Sequence, residues 1–125
     1  MAVVLDAGAL IAVDRRDRAV GAMLARARAE HIPVRTSAAV VAQVWRNGRD
    51  QANLVRVLNG IEAVAMDPPT GRRIGELLAA SRTSDVVDGH LCLTVNPGDV
   101  VVTSDPIDIR RLLRARKVSG IVHTV

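Results

Sequence analysis

A run of branched residues that halts at an acid constrains this chain more than any other feature. Val100-Val101-Val102-Thr103 shows no polar alternation, so it reads as a strand buried on both faces, the mark of a parallel sheet. Ser104-Asp105-Pro106-Ile107-Asp108 follows and opens a helix: Asp105 suits the N-cap, Pro106 the first helical position and Asp108 the N3 position. Open parallel sheets take their ligands outside the carboxyl ends of the strands. The corner is therefore a helix start, part of a site, or both.

The rest of the chain repeats this grammar. Strands are expected over 3–5, 32–36, 61–66, 100–103 and 121–125. Helices are expected over 7–13, 18–31, 38–48, 50–58, 70–82, 86–95 and 106–117. Pro33 confines itself to the first residues of its strand, Ser37 caps the next helix, and Asn47-Gly48, Asn59-Gly60 and Asn96-Pro97-Gly98 break elements. Short strands alternating with helices, often in pairs, predict an α/β fold with a mainly parallel sheet of four to five strands flanked by helices. A length of 125 residues suits one domain over 1–125.

Composition narrows the function classes. An apolar fraction of 49% supports a core, and no apolar run approaches the roughly 20 residues of a bilayer span. Met1 to Asp6 has no basic leader, which predicts a cytoplasmic protein, and the single Cys92 allows no internal disulfide. The formal charge of +4 points to a polyanionic partner, although an arginine-rich coding bias produces the same excess. With Trp45 as the one aromatic residue, a stacking platform for single strands is not expected.

Four acids occupy comparable places: Asp6 after the first strand, Asp88 at the start of a helix, and Asp105 and Asp108 at the opening corner. Each alone is well explained as a helix-terminal acid, and both Asp85/Asp88 and Asp105/Asp108 have capping-box spacing. Together they point further. If the first strand and 100–103 are parallel neighbours, the carboxylates emerge at one sheet edge. There they repel by about 4 kcal/mol per close pair at an effective dielectric of 20. A divalent cation such as Mg²⁺ or Mn²⁺ removes that cost and bridges to phosphate, which suits metal-assisted hydrolysis of a phosphodiester. Thr103 and Ser104 either position a water or phosphate oxygen or tie down the turn.

Asp6 after a first strand, the segment Val87-Asp88-Gly89-His90-Leu91, and Val101-Val102-Thr103-Ser104-Asp105-Pro106-Ile107-Asp108-Ile109 together resemble the PIN-domain ribonucleases, in particular the VapC-type toxins. The resemblance spans essentially the whole chain, and Thr-Ser-Asp-Pro-x-Asp is its most specific part. It implies a three-layer fold, a Mg²⁺- or Mn²⁺-dependent endoribonuclease with an acidic pocket, a homodimer, and inhibition by a cognate antitoxin protein. It also implies that Asp6, Asp88, Asp105 and Asp108 are metal ligands. Two departures stand out. Gln43 occupies the place of an expected Glu, keeping an oxygen but losing a charge. Gly8 replaces a small polar residue and removes a second-layer hydrogen bond.

Other candidates carry less. His90 is expected on a different helical face from Asp88, Cys92 as a small buried residue, and His31 and His123 at the surface. Trp45 is expected in the core or at a subunit interface, with Arg46 and Arg49 either solvated or touching RNA or antitoxin. The leading expectation is therefore a metal-dependent endoribonuclease toxin using Asp6, Asp88, Asp105, Asp108, Gln43 and Thr103. A silent RNA- or protein-binding module is the alternative that Gln43 motivates. A phosphoacceptor or Asp-x-Asp phosphatase fits poorly: Gly8 stands where the second acid belongs, and the one lysine, Lys117, lies late in a helix.

Overall fold

The valine-rich and apolar runs form strands, and the stretches with helical periodicity form helices. The computed structural model describes residues 1–125. In chain order the elements are β1 (Val3–Leu5), α1 (Ala7–Asp14), α2 (Arg18–Ala29), β2 (Val34–Ser37), α3 (Ala38–Val44) and α4 (Ala52–Leu58). They continue with β3 (Glu62–Val64), α5 (Pro68–Ser81), α6 (Val86–Leu93), β4 (Val100–Thr103), α7 (Pro106–Arg116) and β5 (Ile121–Thr124). The sheet has five strands in the order β3-β2-β1-β4-β5, and every pairing is parallel. The fold is thus a three-layer α/β arrangement whose sheet is wholly rather than mainly parallel.

β1 sits at the centre because Val3, Val4 and Leu5 are all buried and require cover on both faces. From β1 the chain steps to β2 and β3 on one side, then crosses back to β4 and β5 on the other. The connections therefore leave in opposite directions between β1 and β4. The carboxyl ends of those two strands form the crevice in which doubly wound sheets hold ligands. Val4, Leu5, Leu10, Val101, Val102, Ile109 and Leu112 are fully buried and join β1, β4, α1 and α7 in one core.

Several element ends differ from expectation. α3 stops at Val44 and not near Asn47, because Trp45 turns to extended backbone and its ring lies against Gly48. Trp45 is 40% exposed, which corrects its placement in the core. α4 begins at Ala52 and not at Asp50: Gln51 Oε1 accepts from the N–H groups of Arg46 and Asn47 (2.8 and 3.1 Å), fixing that segment as a loop. β3 is also shorter than its apolar run, since only Glu62–Val64 pairs with β2.

At the amino ends of the strands, buried Asp99 collects three donors. Ala2 N–H reaches Oδ1 (2.8 Å), while Asn96 N–H (2.8 Å) and Arg35 Nη1 (3.0 Å) reach Oδ2. Arg35 also donates to the Thr94 carbonyl (2.9 Å). This fully bonded pair pins β1, β2 and β4 together at the end opposite the acids.

Candidate functional site

Register brings the first two acids together. Leu5 pairs with Val102, so Asp6 and Thr103 leave the sheet side by side. Asp6 is buried and its carboxylate is already engaged: Ala9 N–H donates to Oδ1 (2.8 Å) and Ser104 N–H to Oδ2 (3.1 Å). One acid thereby caps α1 and staples it to the turn after β4. This close approach requires Gly8, because a Cβ there would run into the Ser104 side chain and come within 3.2 Å of its backbone nitrogen. In the sequence Gly8 registers as a lost polar group and a missing acid. The absent side chain is what lets the corner close.

Asp105 does not cap α7 with its side chain, contrary to the reading of its spacing. The Asp105 N–H instead donates to Thr103 Oγ1 (2.8 Å), and Thr103 is fully buried. Thr103 thus ties down the turn and leaves the exposed Asp105 carboxylate free. Asp85, by contrast, does cap: its Oδ1 accepts from the Asp88 N–H (3.0 Å) at the start of α6.

The free carboxylates meet. Asp88 from α6, Asp105 from the β4–α7 turn and Asp108 from the first turn of α7 offer oxygen atoms that all lie within 4.8 Å of one another. The carboxyl group of Asp88 records the crowding, since its pKa rises from 3.8 to about 7. Burial is the main cause, followed by the negative charges of Asp85, Asp105, Asp6 and Asp108. Three hard oxygen donors of one sign suit a divalent cation. Asp6 lies outside this trio, although its charge is felt at Asp88. Gln43 is exposed in the last turn of α3.

The remaining candidates fall away from this cluster. Cys92, one turn after Asp88, is buried, and burial followed by the Asp88 charge pushes its thiol up to about 12, so it is inert. His90 is fully buried and neither ring nitrogen has a hydrogen-bond partner. Burial is the main influence on its pKa and lowers it, with the Ala65 backbone acting in the opposite direction. His31 and His123 are exposed. Arg46 donates to the Ala42 and Trp45 carbonyls at the end of α3 (3.3 and 2.6 Å), and Arg49 is exposed. A concavity of about 930 Å³ lies at the other end of the sheet, among α1, α2, α4 and the starts of β2 and β3. It contains none of the clustered acids; Leu24, Ile32, Val57, Arg16, Arg28 and Arg56 are among the residues lining it.

No family model matches the chain, and no curated protein matches it. Similar solved structures exist. One is a chain from VapBC2 of Rickettsia felis bound to a DNA fragment from their promoter, with TM-score 0.71 and 15% identity, covering 100% of this chain and 99% of that one. Another is a chain from FitAcB of Neisseria gonorrhoeae, with TM-score 0.60 and 18% identity, covering 95% of this chain and 96% of that one. At such identities the likeness shows the fold alone. The assignment to PIN-domain ribonucleases of the VapC type is therefore corrected. The structural neighbours are the VapBC2 and FitAcB assemblies, not a described PIN-domain nuclease, and what they share with this chain is its α/β architecture. No helix is long and apolar enough to cross a membrane.

Proposed function

We propose that this chain is a divalent-metal-dependent endoribonuclease, acting as the toxin of a toxin–antitoxin pair. The observation that carries the reading is the convergence of Asp88, Asp105 and Asp108 within 4.8 Å, at the point where the connections of the sheet diverge. The donor set fits Mg²⁺ or Mn²⁺, with Asp6 completing the charge around it. Bound there, such an ion neutralises developing charge on a phosphoryl group and acidifies an attacking water. The chain's own residues do the rest. Asp88, which holds a proton near neutrality, gives it up to admit a cation. Asp6 and Thr103 fix the turn that aims Asp105 and Asp108. The net charge of +4 favours an RNA substrate. The likeness to the VapBC2 and FitAcB assemblies supports a cognate protein partner, and a homodimer working in the cytoplasm completes the proposal.

The test is RNA cleavage by the folded protein in Mg²⁺ and in Mn²⁺, with loss of activity in Asp105→Asn. That carboxylate makes no capping bond, so its replacement leaves the fold intact. RNA left whole by the wild type in both metals refutes the proposal. A second reading, a silent RNA- or protein-binding module, is favoured by Gln43, a neutral residue at the α3 position where an acid was expected. It predicts no rise in melting temperature with millimolar Mn²⁺, whereas the nuclease predicts a clear one.

A further inference from the structure

Resting on the nuclease reading, we propose that the exposed face of α7 is a track for the backbone of single-stranded RNA running away from the acid trio. At 100° per residue, Ile107, Arg110, Arg111 and Arg114 fall within an arc of about 100°, opposite the buried stripe of Ile109, Leu112 and Leu113. All four are exposed, and Ile107 is 73% exposed. The molecule holds two ion pairs, Arg26–Glu30 and Arg35–Asp99, so none of Arg110, Arg111 and Arg114 is neutralised by an acid. Arg111, one turn beyond Asp108, is not paired with it.

Such a face does not serve the helix. Arg110 and Arg114 are four residues apart and Arg111 and Arg114 three, spacings at which like charges destabilise. Helix-end electrostatics favours cations only in the last turn, which accounts for Arg114 and not for Arg110 or Arg111. Arg116, the fourth arginine of α7, does not belong to this face: it lies on the inner side of the helix, and its Nη1 donates to the Cys92 and Val95 carbonyls.

The start of α7 thus presents two clustered carboxylates, Asp105 just before the helix and Asp108 in its first turn, and its next two turns present unpaired arginines. Arg111 and Arg114 stand about 4.5 and 9 Å along the axis from Asp108. A polyanion fits both halves at once: one phosphate would lie at the acids, where a bound cation would offset the repulsion, and the following phosphates on guanidinium groups. An acidic protein segment fits only the arginine half and is repelled by the other.

The experiment measures binding of a fluorescein-labelled single-stranded RNA to the full chain carrying Asp105→Asn, between about 0.05 and 0.2 M salt. It compares the triple variant Arg110→Gln/Arg111→Gln/Arg114→Gln with a control triple, Arg16→Gln/Arg28→Gln/Arg56→Gln, of equal net charge at the distant concavity. Melting curves verify that both are folded. Loss of three phosphate contacts lowers the slope of log K against log salt by about 2. It also weakens binding on the order of tenfold, and the control leaves the slope unchanged. Equal weakening by both triples reduces the effect to net charge and overturns the inference. So does an α7 triple that binds RNA like its parent while losing affinity for poly-glutamate. A wild type that cleaves RNA, with cleavage and binding untouched by the α7 triple, overturns the track and leaves the nuclease standing. A wild type that cleaves nothing, with binding still dependent on α7, does the reverse.

Discussion

Removing the carboxylate of Asp88 should stabilise the metal-free protein at alkaline pH and not at acid pH. A carboxyl group held at about 7 rather than 3.8 corresponds to roughly 4 kcal/mol at 1.36 kcal/mol per decade of proton affinity. Partial exposure and solvent screening reduce this to about 2 kcal/mol. Between pH 4 and 7 the native state keeps on Asp88 a proton that the unfolded chain has released. This contribution is therefore fully present below pH 3.8 and lost as pH rises through about 7. Asp88→Asn has no charge to repel, so it escapes the loss. A chain of 125 residues gains about 3–5 °C in melting temperature per kcal/mol. Circular dichroism melts in EDTA should then show Asp88→Asn about 6–10 °C above wild type at pH 8 and level with it near pH 4. Millimolar Mn²⁺ should raise the wild type and leave the variant where it was. A variant that melts at or below wild type at pH 8 in EDTA, or whose offset is the same at both pH values, would show that the acids do not strain one another.

Three further outcomes follow from the same geometry. Asp6→Asn keeps one acceptor and loses the other, so it should cost about 1–3 kcal/mol in a urea melt as well as activity, whereas Asp105→Asn should lose activity with little change in stability. Gly8→Ala should separate α1 from Ser104 and cost about 1–3 kcal/mol, with metal-dependent activity falling more than the melting temperature implies. Asp99→Ala strands Arg35 and two backbone donors and should cost about 3–5 kcal/mol, read as a lower denaturation midpoint at unchanged slope.

Hydrophobic patterning made the strands, the helices and the parallel sheet legible, because period and branching are properties of neighbours in sequence. It also placed Asp88, Asp105 and Asp108 correctly at the starts of α6 and α7. What it missed depends on distant neighbours. The Arg35–Asp99 clamp joins residues 64 apart, and nothing local marks either as buried. The spacing of Asp105 and Asp108 matches a capping box, yet Thr103 takes the Asp105 N–H and the box does not form. Nor did the sequence show that the Asp6 carboxylate takes two backbone N–H groups, one of them from Ser104, 98 residues away. His90 carries no sign in sequence that both its nitrogens end up dry and unpartnered.

The neighbourhood of β1 and β4 has a consequence in time as well as in space. β1 is the central strand, yet the partner that completes the crevice, β4, lies 97 residues later, Val3 facing Val100. Closing so long a loop is slow compared with forming the helices between. The turn that Asp6 staples, and the carboxylates that turn presents, do not form until β4 and α7 have docked beside β1. The acid cluster therefore assembles late in folding, together with the β1–β4 pairing that joins the two halves of the sheet.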